Sequence, residues 1–306
     1  MDALPTPEEI LVAAEKAGWL LEQSAVRILE STGFHPRPSW AFQDIDDPAS
    51  SRELDVWSYR RFLYDEETKV SVAASVLVEC KQSEMPYLAI GHVMPEWRQG
   101  GNPTEHLFPV DSLPLRKGRP GEPTPYRDVW DLLRFREIAE HHGHTDFRAT
   151  QLTRLDRGKG QWAASNAGIF TSLVYPLAKA IRATQRQLGR TDSVIYRRNE
   201  ARGKGREVTD WASFVFIFPV ILISSPLYVI DAGGEQPTVS DAKWVRAQRD
   251  LESRSVKGLF EFDVVRVDAF LEYIERAVTR FITTVAAAVG SDPLRHTGEA
   301  WIPSDD

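Results

Sequence analysis

The chain has 306 residues, of which 42% are hydrophobic and 26% charged, and it carries a net charge of −7. That composition excludes a disordered chain, and a single cysteine, Cys80, excludes an internal disulfide. The length admits one large domain or two ordinary ones.

Lone-cysteine usage fits a reducing cytoplasm. The N-terminus shows acidic helix-start residues in place of a basic-then-apolar signal pattern, so a cytoplasmic location without membrane insertion is expected. The charge is unevenly spread. Between Arg148 and Arg206 there are 13 Lys/Arg against 3 Asp/Glu, a local net of +10, so the remainder carries −17. Such asymmetry suits either a phosphate-binding face or a solvated helix face followed by a basic loop.

In chain order, Thr6-Pro7-Glu8-Glu9 reads as a capping box with Pro in the first turn of a helix, closed near Gly18. A second helix is expected from Trp19 to Thr32, stopped by Gly33. Glu22, Val26 and Leu29 fall on one stripe of it. Glu22 therefore either sits over an apolar face and needs a positive partner, or reaches solvent at the helix start. Phe34 to Phe42, broken by Pro36 and Pro38, reads as a short strand or loop, and Asp44, Asp46 and Asp47 as a polar connection. Leu54 to Tyr64 alternates as a strand that opens with Asp55, and Asp65 to Thr68 makes a turn.

The nine residues between Lys69 and Glu79 carry no charge and are rich in Val and Ala. They read as a strand buried on both faces that ends in Glu79-Cys80-Lys81. Alternation places Leu77, Glu79 and Lys81 on one face, with Val78 and Cys80 on the other. Pro86 to Gly91 is another short strand. Pro95 to Pro125, with seven prolines and four glycines, reads as loop.

A helix is expected from Tyr126 to His141. The following His141, His142 and His144 can bind a transition metal but read more simply as a helix C-terminus. Phe147 to Leu155 reads as a strand and Ala163 to Leu188 as a long helix, kinked at Pro176. Its later turns present Lys179, Arg182 and Arg186 as a basic stripe. A strand near Ser193 to Arg197 precedes a basic loop. The twenty uncharged residues from Trp211 to Ile230 are long enough to span a bilayer, but Pro219, Pro226 and Ser224-Ser225 favour two buried strands joined by a turn. A helix near Ser240 to Ser253, a strand from Leu259 to Val267 and a closing helix from Asp268 to Val289 complete the chain.

Glu22, Asp55, Glu79 and Lys81 together would make a site for a hard divalent cation, for which oxygen ligands suit Mg2+ or Mn2+ better than Zn2+. As a spacing pattern, an Asp followed by Glu-x-Lys is nearly worthless. Its weight comes from terminating a buried strand, beside a strand opened by an acid and after a helix with a carboxylate on its apolar face.

The segment from Leu21 to Lys81, about a fifth of the chain, resembles the PD-(D/E)XK nuclease superfamily, most closely its Holliday-junction-resolvase-like and Mrr-like restriction-endonuclease branches. The resemblance rests on Glu22 three turns before Gly33-Phe34, on Asp55 in Glu53-Leu54-Asp55-Val56, and on Glu79-Cys80-Lys81. Leu54 stands where the family often has Pro. The resemblance implies an α/β, restriction-endonuclease-like core, α-β-β-β-α-β, with a mixed central sheet flanked by helices. Ala163 to Leu188 would be its second helix and Phe214 to Ser224 its fourth strand. The chain would then be one elaborated domain, with a motif-bearing core at 19–94, a loop-rich insertion at about 95–160 and a C-terminal β/α extension; the alternative is a nuclease domain ending near Pro95 and a separate C-terminal domain.

The resemblance further implies that Asp55, Glu79 and the backbone carbonyl of Cys80 ligate Mg2+ (or Mn2+). Lys81 would position or activate the attacking water, and Glu22 would support the site through water or a second metal. The implied activity is hydrolysis of nucleic-acid phosphodiesters, chiefly by an endodeoxyribonuclease of prokaryotic defence or DNA processing. Lys179, Arg182, Arg186, Arg197, Arg198, Arg202, Lys204 and Arg206 would contact DNA phosphates. A homodimer or a protein partner in a multi-gene system is compatible with this reading. The rival reading is a catalytically retired module of the same fold that binds nucleic acid or a protein.

Overall fold

The computed structural model describes residues 4–95, 106–108, 112–114, 126–128, 134–135, 147–158, 160–165, 168–190 and 212–296. Helix α1 (Pro7–Lys16) begins with the expected capping box: Glu9 N donates to Thr6 Oγ1 at 3.3 Å and Thr6 N to Glu9 Oε2 at 2.7 Å. It buries none of its residues. Gly18, at φ +87°, turns the chain into α2 (Trp19–Ser31), a left-handed conformation that suits glycine. Leu21, Ala25, Val26 and Leu29 form the buried stripe of α2, at the spacing of one helical face.

Strand β1 (His35–Gln43) lies at one edge of the sheet, antiparallel to β2 (Ser51–Tyr64). Pro36 and Pro38 are tolerated there because an edge strand need not donate every amide, and they discourage pairing with another chain. Strand β3 (Val70–Lys81) is buried throughout except at Lys81. The reason is double pairing. It runs antiparallel to β2 on one side and, along its full length, parallel to β10 (Ala212–Ile223) on the other. One face of β3, from Val70 to Cys80 in steps of two, packs with α2 and the C-terminal helices. Leu77, on the opposite face, packs with Trp57 and with Leu177 and Ile181 of helix α3 (Tyr175–Arg190). A strand covered on both faces and paired at both edges can carry an unbroken apolar run.

The sheet turns a corner where β3 and β10 end. β4 (Tyr87–Val93) follows β3 after five residues, and β11 (Leu227–Asp231) follows β10 after a turn at 224–226, so one parallel pair continues as another. Hydrogen bonds tie the two turns together: Ser224 N donates to Lys81 O at 3.2 Å, Ser83 N to Ser224 Oγ at 2.9 Å, and Tyr87 N to Pro226 O at 2.9 Å. The uncharged run from Trp211 is therefore two strands and a turn, as expected. Among the described residues no helix is long and apolar enough to cross a membrane.

Short strands β5 (His106–Phe108), β6 (Ser112–Pro114) and β7 (Tyr126–Asp128) precede β8 (Phe147–Gly158), which pairs antiparallel with β4 and then with β9 (Gln161–Ser165). Beyond β11 come β12 (Thr238–Asp241), β13 (Trp244–Glu252) and β14 (Lys257–Arg266), the last parallel to β10. The order is β1-β2-β3-β10-β14-β13-β8-β4-β11-β12 in a sheet of twelve described strands, with β5 and β9 off this path. Helix α4 (Phe270–Tyr273), a π-helical stretch (Ile274–Thr279) and α5 (Arg280–Ser291) close the chain. The result is a mixed α/β architecture with helices on a large central sheet.

Several expectations are corrected. Tyr126–Asp128 is a strand, not a helix start. The strand expected from Phe147 to Leu155 is present as β8, and it lies in the main sheet. Residues 161–165 form β9, and the helical segment begins only at a π-helical turn, Phe170–Val174. Pro176 follows closely on that π-helical stretch, so its missing N–H falls inside a continuous helical run, where the regular ladder is interrupted. The helix expected at Ser240 to Ser253 is two strands. Val245 and Ala247 share one face of this strand, and on the other lies Arg246, which is buried although its charge reads as solvent-facing in the sequence. It is buried because Asp263, its register partner on β14, accepts from its guanidinium at 3.1 and 3.2 Å; Tyr273 donates to the same carboxylate at 2.7 Å. The three histidines, the expected strand near Ser193 and most of 95–125 lie outside the described residues.

Candidate active site

Backbone pairing places the acidic residues. β2 and β3 pair in register as far as Val56 and Val78, so one further step sets Asp55 opposite Glu79. Backbone pairing stops there, and the Asp55 side chain takes over: Cys80 N donates to Asp55 Oδ2 at 2.5 Å. The strand turns over at this point. Leu54 and Trp57 pack in one core cluster and Val56 in the other, opposite Ser39 at φ 47°.

Glu79 is 7% exposed and accepts an ion pair from Lys81 Nζ at 3.0 Å. Burial pushes the Glu79 carboxyl up to about 7, with Asp55 adding repulsion and Lys81 opposing it. Asp55 is also raised, first by burial, against the Cys80 amide and Lys81. Lys81 is held above its ordinary value: burial works against its charge, and Glu79 and then Asp55 outweigh it. The Cys80 thiol, buried among these carboxylates, is pushed well up.

Glu22 reaches the same end of the sheet from α2, and Gly18, at the start of that helix, sits against Gln82. The Glu22 carboxyl is raised to about 7, first by burial and then by Asp55 and Glu53. The structure thus brings Glu22, Asp55, Glu79 and Lys81 into one electrostatic neighbourhood. Among the described residues, however, no three His, Cys, Asp or Glu side chains are spaced to hold a metal ion. Glu22 therefore does not complete a three-carboxylate cage. What remains is a carboxylate pair whose hydrogen bonds use Asp55 Oδ2 and Glu79 Oε1. That set fits Mg2+, which commonly keeps several waters and takes one or two protein carboxylates.

The basic stripe fares differently. Lys179 does not face phosphate. It is 2% exposed, and Nζ lies 2.8 and 3.0 Å from the Asp44 oxygens and 2.6 Å from Asp46 Oδ2. Arg52 also pairs with Asp44, and Tyr175 donates to Asp46. A stripe drawn from helical spacing alone cannot separate one cation under an acidic hairpin from its neighbours. Arg182 and Arg186 are exposed, as expected of phosphate contacts. Arg197, Arg198, Arg202, Lys204 and Arg206 lie outside the described residues.

Tyr87 borders Lys81, and Arg154 lies beyond it. Tyr87 opens β4 immediately after the corner, and Arg154 of β8 stands opposite it in the ladder. Burial raises the Tyr87 hydroxyl, while Arg154 and then Lys81 act to lower it. No sequence signal pointed to either, since Tyr87 meets Lys81, and Arg154 meets Tyr87, only through pairing across the chain.

Comparison of the chain with protein-family models, with curated proteins and with solved structures gives no match.

Proposed function

We propose that the chain is a metal-dependent nuclease that hydrolyses phosphodiester bonds of nucleic acid, a DNA endonuclease, on a restriction-endonuclease-like core. The observation that carries this is the end of β3: Asp55 opposite Glu79 on adjacent strands, with Lys81 paired to Glu79 at 3.0 Å. Topology supports it. With the six strands β4 to β9 that intervene between β3 and α3 set aside, α2, β1, β2, β3, α3 and β10 follow the helix-strand-strand-strand-helix-strand order, with β1, β2 and β3 antiparallel and β10 parallel to β3.

Asp55, Glu79 and the Cys80 carbonyl are the groups that would hold the cation. A bound Mg2+ would polarise the phosphodiester and acidify a water. Lys81 supplies a cation beside the attacked phosphate and a proton donor near the developing charge. The three raised carboxyls, Glu22, Asp55 and Glu79, mark acidic groups drawn out of water and set near one another, as functional sites often are. Glu22, half-buried beside the other two, orients water.

The test is incubation with plasmid, linear and single-stranded DNA and with RNA, in Mg2+ or Mn2+ and in chelator. Cleavage is expected with metal only, and Lys81→Ala is expected to lose about 10²-fold or more of the rate with the circular-dichroism spectrum unchanged. Metal-independent cleavage, or none of any substrate, overturns the reading. A second reading, a retired module that only binds, is favoured by the missing third carboxylate at ligand spacing. Titration calorimetry with Mn2+ separates the two, since the retired module takes up no metal.

A further inference from the structure

Arg154 and Asp156 sit two residues apart on β8 and share a face of the sheet. Arg154 Nε lies 2.8 Å and Nη2 3.4 Å from the two Asp156 oxygens. Both side chains remain about as exposed as a surface pair, 44% and 39%, so the pairing contributes little to stability. Its effect is to orient the guanidinium. With Nε and one Nη2 hydrogen engaged, both Nη1 hydrogens and the other on Nη2 remain for an anion, and the planar fork matches phosphate oxygens.

Position gives that fork a use. Arg154 is the ladder partner of Tyr87, and Leu155 N donates to Pro86 O at 2.8 Å. Lys81 lies just across the tied turn, its carbonyl bonded to Ser224 N. Tyr87 packs in the same core cluster as Leu77, two positions before Glu79 along that face of β3. Three other cations are held by buried carboxylates: Lys179 and Arg52 by Asp44, and Arg148 by Glu261.

We propose that Arg154, oriented by Asp156 and carried to the sheet corner by β8, binds a backbone phosphate of the nucleic acid next to the scissile one. This rests on the nuclease reading above and deepens it. Arg154 is a binding group; Asp156 is a positioning residue that acts through it.

The experiment uses the full chain and a labelled DNA duplex, read by fluorescence anisotropy across a salt series, together with cleavage kinetics. Arg154→Ala is expected to weaken binding about tenfold and to reduce the slope of log affinity against log salt by about one. KM should rise and kcat change little. Arg154→Lys should recover the salt slope but only part of the affinity, because it keeps the charge without the fork. Asp156→Ala should shift KM in the same direction by less. If the wild type cleaves or binds and Arg154→Ala matches it in slope and KM, the phosphate contact is wrong while the nuclease reading stands. If the wild type binds without cleaving and the variant loses slope, the contact stands and catalysis fails. A wild type that neither binds nor cleaves overturns both.

Discussion

Glu79→Gln is expected to abolish cleavage and at the same time to raise the melting temperature of the metal-free protein at about pH 8. The carboxyl is raised from 4.5 to about 7 in the folded chain, mainly by burial. Between those values the folded state binds more protons than the unfolded one, so stability falls as pH rises through this window. Below it both states are protonated, and above it both are ionised and the full penalty remains. A shift of that size, in which the attraction of Lys81 is already included, corresponds to roughly 3 kcal/mol at most in favour of Gln. Glu22 adds to the same pH trend in the same direction, more weakly because it is better solvated.

The same buried carboxyl predicts a metal response. Mg2+ or Mn2+ should raise the wild-type melting temperature, more at about pH 8 than at about pH 5.5, since ligands must be ionised to bind. Glu79→Gln should lose that response. Scanning fluorimetry at the two pH values, with metal and with chelator, measures both effects. A variant that is less stable at the higher pH and still responds to metal would show that Glu79 is only a strand-end ion pair.

The parts of the fold legible in the sequence are those set by local periodicity and caps. The Thr6–Glu9 box, the α2 stripe closed by Gly33 and the uncharged β3 run all depend on neighbours within a few residues. The parts that were not legible depend on pairing across the chain. Arg246 is tolerated inside β13 only because Asp263 faces it from β14, so a polar stretch that looks helical is a buried strand. β9 is set by pairing to β8, and its apolar pair Ala163-Ala164 carries no preference strong enough to reveal it. For the site, Asp55, Glu79 and Lys81 could be found because a charge ends an apolar strand. Tyr87, Arg154 and the acidic partners of Lys179 could not, because they meet only once the sheet bends and α3 docks.

Lys179→Ala is expected to cost about 3–5 kcal/mol of folding stability, the usual effect of removing one member of a buried ion pair, while leaving the salt dependence of DNA binding intact. Lys179 and Asp44 side chains are each 3% exposed. Burial works against the Asp44 charge, and the Lys179 ammonium, the Asp46 amide and Arg52 overcome it, holding the carboxyl well below the usual range. A carboxyl lowered in the folded state contributes stability above its unfolded value of 3.8, which is lost only as pH falls through the lower folded value. Without the ammonium, Asp44 keeps only Arg52, whose side chain is 45% exposed, and the Asp46 amide against the cost of its burial between β1, β2 and α3. Lys179→Met, which fills the space without restoring the charge, should recover little, and the double variant Lys179→Met with Asp44→Leu should recover most, since a buried pair can be replaced by packed apolar groups. Urea unfolding at about pH 7 measures the first effect. Anisotropy over a salt series measures the second, with Arg182→Ala and Arg186→Ala as the contrast, because exposed phosphate contacts lower the salt slope and leave stability almost unchanged. A folded Lys179→Ala protein of wild-type stability and reduced slope would return Lys179 to the nucleic-acid interface.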